Sequence, residues 1–190
     1  MKKFTLFIAM LFVAFAAEAA PLWMRYPAIS PDGKQIAFTY KGSIYVVPAA
    51  GGQAERLTSS EMHSTMPVWS PDSKTIAFAS DRYGNFDIFT VSAQGGSPVR
   101  LTTHSAKEAP YAFSNDGKKS YFGATIADPA SSALFPKSSM GELYAVSVNG
   151  GRAEQVLATK AQLIIFSRDG KSFLYQDRKG GEDDFRKHHT

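Results

Sequence analysis

Four histidines and one recurring aspartate are the residues of this 190-residue chain best suited to chemistry. Imidazole is the commonest general base and a frequent zinc ligand. The chain has neither a Gly-x-Ser-x-Gly nucleophile elbow nor a His-Glu-x-x-His zinc motif. It has no cysteine, which excludes disulfides, thiolate zinc sites, iron–sulfur clusters and a cysteine nucleophile. We therefore expect no catalytic residue, no cofactor and no metal site.

Two groups of polar residues come closest to a metal site. His188 and His189 follow an acidic run at residues 182–184, but adjacent histidines point in different directions in most backbones. Asp81, Asn85 and Asp87 have a loop-like spacing but lack the glutamate and the full ligand set of a calcium loop. We interpret the second group as turn hydrogen-bonding residues. His63 and His104, at comparable points of successive repeats, are interpreted as solvated loop residues.

The recurring aspartate marks an internal repeat. It lies 40, 44 and 53 residues apart within phrases of the type Ser-Pro-Asp-Gly-Lys, at Asp32, Asp72, Asp116 and Asp169. Proline suits the second position of a type I turn, serine can cap the turn, and glycine closes it. Because each repeat carries one such carboxylate, the four would be spread apart and unable to act on one substrate. We predict that all four are structural turn residues.

Each turn is surrounded by further strand signals. An apolar run follows it, then a β-branched and aromatic run such as Ile44-Tyr45-Val46-Val47, then a Gly pair, then a short segment such as Arg100-Leu101-Thr102. A period near 40–45 residues is that of one four-stranded propeller blade. Ile76-Ala77-Phe78-Ala79 is apolar on both faces, as expected of a blade packed between two others.

The pattern predicts an all-β β-propeller with about three complete four-stranded blades and a partial fourth. The blades are expected at about residues 25–59, 64–103 and 108–158, with the partial blade at 162–190. Residues 124–140 are interpreted as an inserted loop. The segment after Tyr175 matches the Ser80–Asn85 loop, so we expect the fourth blade to end before its third strand.

The first 19 residues predict a signal peptide. Lys2-Lys3 precedes an almost wholly apolar run from Phe4 to Ala17, and Ala17-Glu18-Ala19 supplies the cleavage spacing. Fourteen helical residues span about 21 Å, which is short of a bilayer core of roughly 30 Å. Cleavage after Ala19 predicts a periplasmic or secreted protein, with no membrane association afterwards.

Composition limits the partners. The net charge is +4, and removal of the first 19 residues takes away Lys2, Lys3 and Glu18, which lowers it by one. The remaining excess is spread along the chain without a Lys/Arg block, so we expect no nucleic-acid partner.

The combined phrases resemble the TolB-type propeller repeat over residues 27 to about 185. They are Ser-Pro-Asp-Gly-Lys, Ile-Ala-Phe, Ser-Asp-Arg-x-Gly-Asn-x-Asp-Ile, Gly-Gly and Leu-Thr. That repeat is shared by TolB, by tricorn-type proteases and by propellers that precede prolyl-oligopeptidase-like domains. In TolB an α/β domain precedes the propeller, whereas here the first blade begins within about ten residues of the predicted cleavage site.

Residues 21–33, 128–132 and 185–190 are similar to secreted tricorn-like serine peptidases of Gram-negative bacteria such as Bacteroides. In that family a PDZ module and a serine-peptidase domain follow the propellers, and none of their catalytic residues has a matching position here. The resemblance implies a non-catalytic segment that admits or orients peptides for a downstream active site. Its partners would be peptides or proteins and the rest of its own longer chain. A TolB-like periplasmic protein-binding scaffold and the propeller lid of a prolyl-oligopeptidase-like hydrolase stay open as alternatives.

Overall fold

Antiparallel sheets make up all the regular structure that the computed structural model describes, at residues 23–124, 141–179 and 182–189. The predicted signal peptide and the predicted inserted loop beyond Ala124 lie outside these residues. The prediction of an all-β chain is confirmed for the described part. Within the same residues, no helix is long and apolar enough to cross a membrane.

The strands form four sheets, which we call blades 1 to 4. Blade 1 contains β1 (Arg25–Ile29), β2 (Gln35–Tyr40), β3 (Ser43–Pro48) and β4 (Glu55–Arg56). Blade 2 contains β5 (Ser64–Trp69), β6 (Thr75–Ser80), β7 (Asp87–Ser92) and β8 (Val99–Arg100). Blade 3 contains β9 (Glu108–Phe113), β10 (Lys119–Ala124), β11 (Glu142–Ser147) and β12 (Glu154–Lys160). Blade 4 contains β13 (Gln162–Phe166), β14 (Ser172–Lys179) and β15 (Glu182–His189).

Each blade is an antiparallel meander in which strands that follow one another in the chain are hydrogen-bonded neighbours. The first strands of successive blades contact each other, β1 with β5, β5 with β9, and β9 with β13. The two-residue strands β4 and β8 lie at the opposite edges of their sheets. The first strands therefore line the inner side of the stack, as the inner strands of a propeller line its axis.

Three apolar cores lie between the blades. Ile76 and Phe78 of blade 2 pack in one cluster with Ile44 and Val46 of blade 1, and all four are at least 96% buried. Because side chains alternate along a strand, Ala77 and Ala79 face the other way and are also buried. The expectation that a blade buries both of its faces is confirmed.

Apolar side chains of the inner strands are exposed where the described stack ends. Trp69 is buried against blade 1 and its indole Nε1 donates a hydrogen bond to the Ala28 carbonyl at 2.9 Å. Ile29, which occupies the place of Trp69 in blade 1, is 63% exposed, and Ile165, which occupies the place of Val68 in blade 4, is 65% exposed. Each inward position of the repeat thus needs a neighbouring blade to cover it.

One expectation is wrong. The fourth blade does not end before its third strand, because residues 182–189 form β15 and pair in regular register with β14. In blade 2 six residues separate β6 from β7, whereas β14 continues to Lys179 and only Gly180 and Gly181 precede β15. A Gly-Gly pair is typical of two-residue hairpins, so the strand begins sooner than the match to blade 2 predicts.

Candidate functional site

The four predicted turn aspartates lie at the end of the blades where the first strand turns into the second. Each accepts a hydrogen bond of 2.6 Å from the serine hydroxyl two residues earlier, and each also accepts one from the amide two residues later. The serine hydroxyl, followed by the lysine amide, lowers the pKa of Asp32, Asp72 and Asp116. Asp72 and Asp116 line one cavity of about 400 Å³ between blades 2 and 3, but their oxygens already serve their own turns.

Asp81, Asn85 and Asp87, whose spacing is loop-like, lie at the opposite end of the blades. Asp81 Oδ1 accepts the amide of His63 at 2.8 Å, and the Asn85 amide nitrogen donates to the carbonyls of His104 and Ala106 at 2.7 and 3.1 Å. Asp87 pairs with an arginine. Asp81 and Asn85 thus make loop contacts and Asp87 forms an ion pair, and the described residues contain no cluster that could hold a metal ion.

The histidines lie in different parts of the described structure. His63 and His104 are exposed, as expected of loop residues, and His104 Nδ1 accepts the amide of Ala106 at 3.0 Å. His188 and Glu182 lie near opposite ends of β15, about 20 Å apart at the rise of an extended strand. The backbone therefore separates the two parts of the metal site considered from the sequence.

A buried ion pair at the start of β7 distinguishes blade 2 from blade 1. Asp87 is fully buried, and its carboxylate lies 2.7 Å from the Arg100 guanidinium of β8. Tyr83 covers that guanidinium, with its ring centre 4.3 Å from the charge. Burial is the largest influence on Asp87 and raises its pKa, while Arg100 acts in the opposite direction. In blade 1 the place of Asp87 is taken by Ser43.

Glu108, the first residue of β9, is the other buried carboxyl of this region. It is 1% exposed, and Thr102 donates a short hydrogen bond to it. Burial is the first cause that raises its pKa to about 7, and the charge on Asp87 acts in the same direction. Arg100 is bound to Asp87 and forms no ion pair with Glu108 among the described residues.

The repeat shows that the fold does not require a carboxyl at this place. The Glu108 amide donates to the Phe86 carbonyl at 2.9 Å, as the Ser64 amide donates to Gly42 and the Ala161 amide donates to Gly141. Glu108 therefore occupies the position that holds serine or alanine in the neighbouring blades. A larger ionisable group at one copy of a repeated position points to a role beyond the fold.

A cavity of about 620 Å³ opens beside Glu108, at the starting ends of the inner strands of blades 1, 2 and 3. We call it the axial cavity. Its lining combines aromatic, cationic and small residues, and includes Trp23, Arg25, Tyr26, Lys41, Gly42, His63, Met66, Asp81, Phe86, Lys107 and Glu108. A concave, mixed apolar and polar surface of this size is suited to a segment of a peptide or a small molecule.

The cations of the axial cavity rest on aromatic rings. The Arg25 guanidinium lies 5.7 Å from the Trp23 ring centre, and the Lys107 ammonium lies 5.1 Å from that of Phe86. Lys41 lies in the same way over Tyr40, at 5.4 Å. No carboxylate among the described residues forms an ion pair with any of the three. Cation–π contacts position these charges without cancelling them.

Glu108 and the three cations were not among the residues predicted from the sequence, although the repeat carried one signal for Glu108. Superposing the repeats on their aspartates places Glu108 beside Ser64, which marks it as a departure from the pattern. No comparable signal marks Arg25, Lys41 and Lys107, because their grouping depends on three blades meeting at one end of the stack.

Comparisons with known proteins place the chain in a family. Residues 21–190 match the tricorn protease N-terminal beta propeller domain. The chain belongs to that family. The expected resemblance to tricorn-type propellers is thereby confirmed.

Among curated proteins, the chain is 33% identical to tricorn protease homolog 1 of Streptomyces coelicolor over 84 residues, which cover 44% of this chain and 8% of that protein. The chain spans less than half the length of each of the first curated relatives it matches.

Among solved structures, TolB from Acinetobacter baumannii has a TM-score of 0.64 at 25% identity, with 86% of this chain and 40% of that chain covered. The tricorn protease has the same TM-score at 15% identity, with 87% and 21% covered, which shows the fold alone. The described sheets are thus propeller blades of the kind that TolB and the tricorn protease share.

Proposed function

We propose that this domain is a non-catalytic propeller segment of a peptidase that acts outside the cytoplasm, and that it admits or orients peptides for an active site elsewhere in the whole protein. The observation that carries the proposal is the axial cavity. It lies where three inner strands begin, and its lining is formed by side chains suited to bind a peptide instead of to cleave one.

The chemistry of the lining supports this role. Trp23, Tyr26 and Phe86 provide faces for apolar side chains, and Arg25, Lys41 and Lys107 provide charges and hydrogen-bond donors. Thr65, Ala79 and Ala109 add small side chains to the same lining. A ligand can therefore enter without first displacing a bulky residue.

The family supports the peptidase context. The chain belongs to a family of propellers found in tricorn proteases and covers only a small part of its curated relatives. A peptidase domain in the rest of the protein would supply the catalytic residues. The signal-peptide pattern of residues 1–19 supports a location in the periplasm or outside the cell.

The test is a binding measurement with a cavity-filling variant. Extended ten-residue peptides are titrated into the purified chain by calorimetry, and Thr65→Trp is compared with Thr75→Trp, which lies at the other end of blade 2. We expect binding to the unaltered chain and to Thr75→Trp, and a loss of at least about tenfold in Thr65→Trp, equivalent to about 1.4 kcal/mol.

Mass spectrometry of the same mixtures reads out cleavage. Intact peptides after long incubation agree with a non-catalytic role. Inhibitor-sensitive turnover by this chain would contradict it. Binding of folded proteins but of no extended peptide would instead favour the protein-binding scaffold.

A further inference from the structure

The charge balance of the axial cavity favours an anionic ligand. Arg25, Lys41 and Lys107 contribute three positive charges that have no ion-pair partner among the described residues. The two carboxyls of the lining are Asp81, which accepts the His63 amide, and Glu108, which is buried against Thr102. A carboxylate brought by a ligand would therefore meet cations that are held in place and not yet neutralised.

Tyr26 and Met66 of the same lining have a strained backbone conformation. Tyr26 and Met66 occupy equivalent places in β1 and β5, each at a β-bulge, with φ angles of 53° and 56°. This left-handed region disfavours residues other than glycine, asparagine or aspartate by roughly 1–2 kcal/mol. Leu163 of β13 repeats the arrangement with φ of 49°.

The strained residues do not serve the apolar cores. Tyr26 is 45% exposed and Leu163 is 60% exposed, and Met66 is partly buried but belongs to none of the three core clusters. Glycine would relieve the backbone at each bulge, yet each position holds a large apolar side chain. Bulges and strained residues are common beside ligand sites, where they aim a side chain.

We propose that the axial cavity recognises an acidic segment of an extended peptide through side-chain carboxylates, with an apolar ligand side chain packed against Tyr26 and Met66. This inference rests on the proposed function and adds the class of peptide. Lys41, in the turn between β2 and β3, and Lys107, immediately before β9, bind neighbouring carboxylates of the ligand, and Arg25 of β1 supplies a third cation of the same lining.

The test uses three peptides of one length on the intact chain. Each is acetylated and amidated at its ends, so that only side chains carry charge. Each has a central leucine flanked by glutamates, by glutamines or by lysines. We expect calorimetry at low salt to show the glutamate peptide binding roughly tenfold more tightly than the glutamine peptide, and 0.5 M salt to remove most of the difference.

Two double variants that each remove two positive charges test whether the preference for glutamate arises in the axial cavity. Lys41→Gln with Lys107→Gln is expected to lower the affinity for the glutamate peptide by roughly fivefold or more and to leave the glutamine peptide unchanged. The control, Lys34→Gln with Lys74→Gln, removes the same charge from exposed residues at the turn end of the blades. It is expected to leave both affinities within a factor of two of the unaltered chain.

The outcomes separate the inference from the proposed function. Equal affinity for all three peptides, or a preference for lysine, would overturn the inference and leave peptide binding intact. Absence of binding by every peptide would overturn the proposed function as well. Because the peptide series uses the unaltered chain, a variant that fails to fold does not remove the test.

Discussion

Raising the pH should destabilise this domain, mainly through Glu108. Its pKa of about 7 in the folded chain compares with 4.5 for an ordinary glutamate, because the carboxyl is 99% buried and faces the charge of Asp87. A raised folded-state pKa means that the folded chain holds the proton more tightly than the unfolded chain. The contribution of Glu108 to the free energy of unfolding is therefore fully present below about pH 4.5 and is lost as the pH rises through 7.

The size of the effect follows from the two pKa values. The difference corresponds to about 3 kcal/mol in the free energy of unfolding between pH 4.5 and pH 8. With a urea dependence of roughly 2 kcal/mol per molar for a domain of this size, the urea midpoint should fall by about 1.5 M. Urea unfolding at constant ionic strength, followed by tryptophan fluorescence, measures the shift.

Two variants identify the group responsible. Glu108→Gln keeps the shape of the side chain and an acceptor for Thr102, so most of the pH dependence should disappear. A weaker slope of the same sign should remain, since burial also raises the pKa of Asp87. Glu55→Gln, the same change at an exposed position of β4, should leave the full slope. An equal slope in Glu108→Gln and the unaltered chain would refute the reasoning.

Three further predictions concern the buried ion pair of blade 2, a turn glycine and the exposed faces of the blades. Arg100→Met should lower the free energy of unfolding, measured by urea unfolding, by about 3 kcal/mol, because it leaves Asp87 buried without a cation. Adding Asp87→Ser should restore more than half of that loss. No recovery in the double variant would contradict this explanation. Gly33→Ala should lower the free energy of unfolding by roughly 1 kcal/mol in the same assay, because φ at Gly33 is 71°. No neighbouring atom lies within 4 Å of the added carbon, so the loss would come from backbone strain and not from a clash. An unchanged urea midpoint would count against backbone strain. The chain should self-associate in sedimentation velocity experiments through its uncovered blade faces. Ile165→Lys should reduce this association more than Val99→Lys, a change at a similarly exposed residue of an outer strand; a monomeric unaltered chain would disprove it.

The local structure could be predicted from the sequence because it depends on local chemistry. Proline, aspartate and glycine at fixed places specify the turn, and the residue types on either side specify paired strands. The three complete blades are built in this way, and their doubly apolar strands are buried on both faces. The one error in strand content, β15, arose from a loop comparison that did not allow for a shorter hairpin.

By itself, then, the sequence determined the repeat, the turns, the antiparallel pairing and the absence of recognisable catalytic motifs. The stacking of the blades determined the composition of the axial cavity and the environment of Glu108. Arg25 and Lys41 lie in blade 1 and Lys107 immediately precedes blade 3, and they line one cavity only because the starting ends of the inner strands meet near a common axis. The sequence marks Glu108 as a departure from the repeat, but its burial and raised pKa arise because the fold places it beside blade 2, where water is excluded and Asp87 is close.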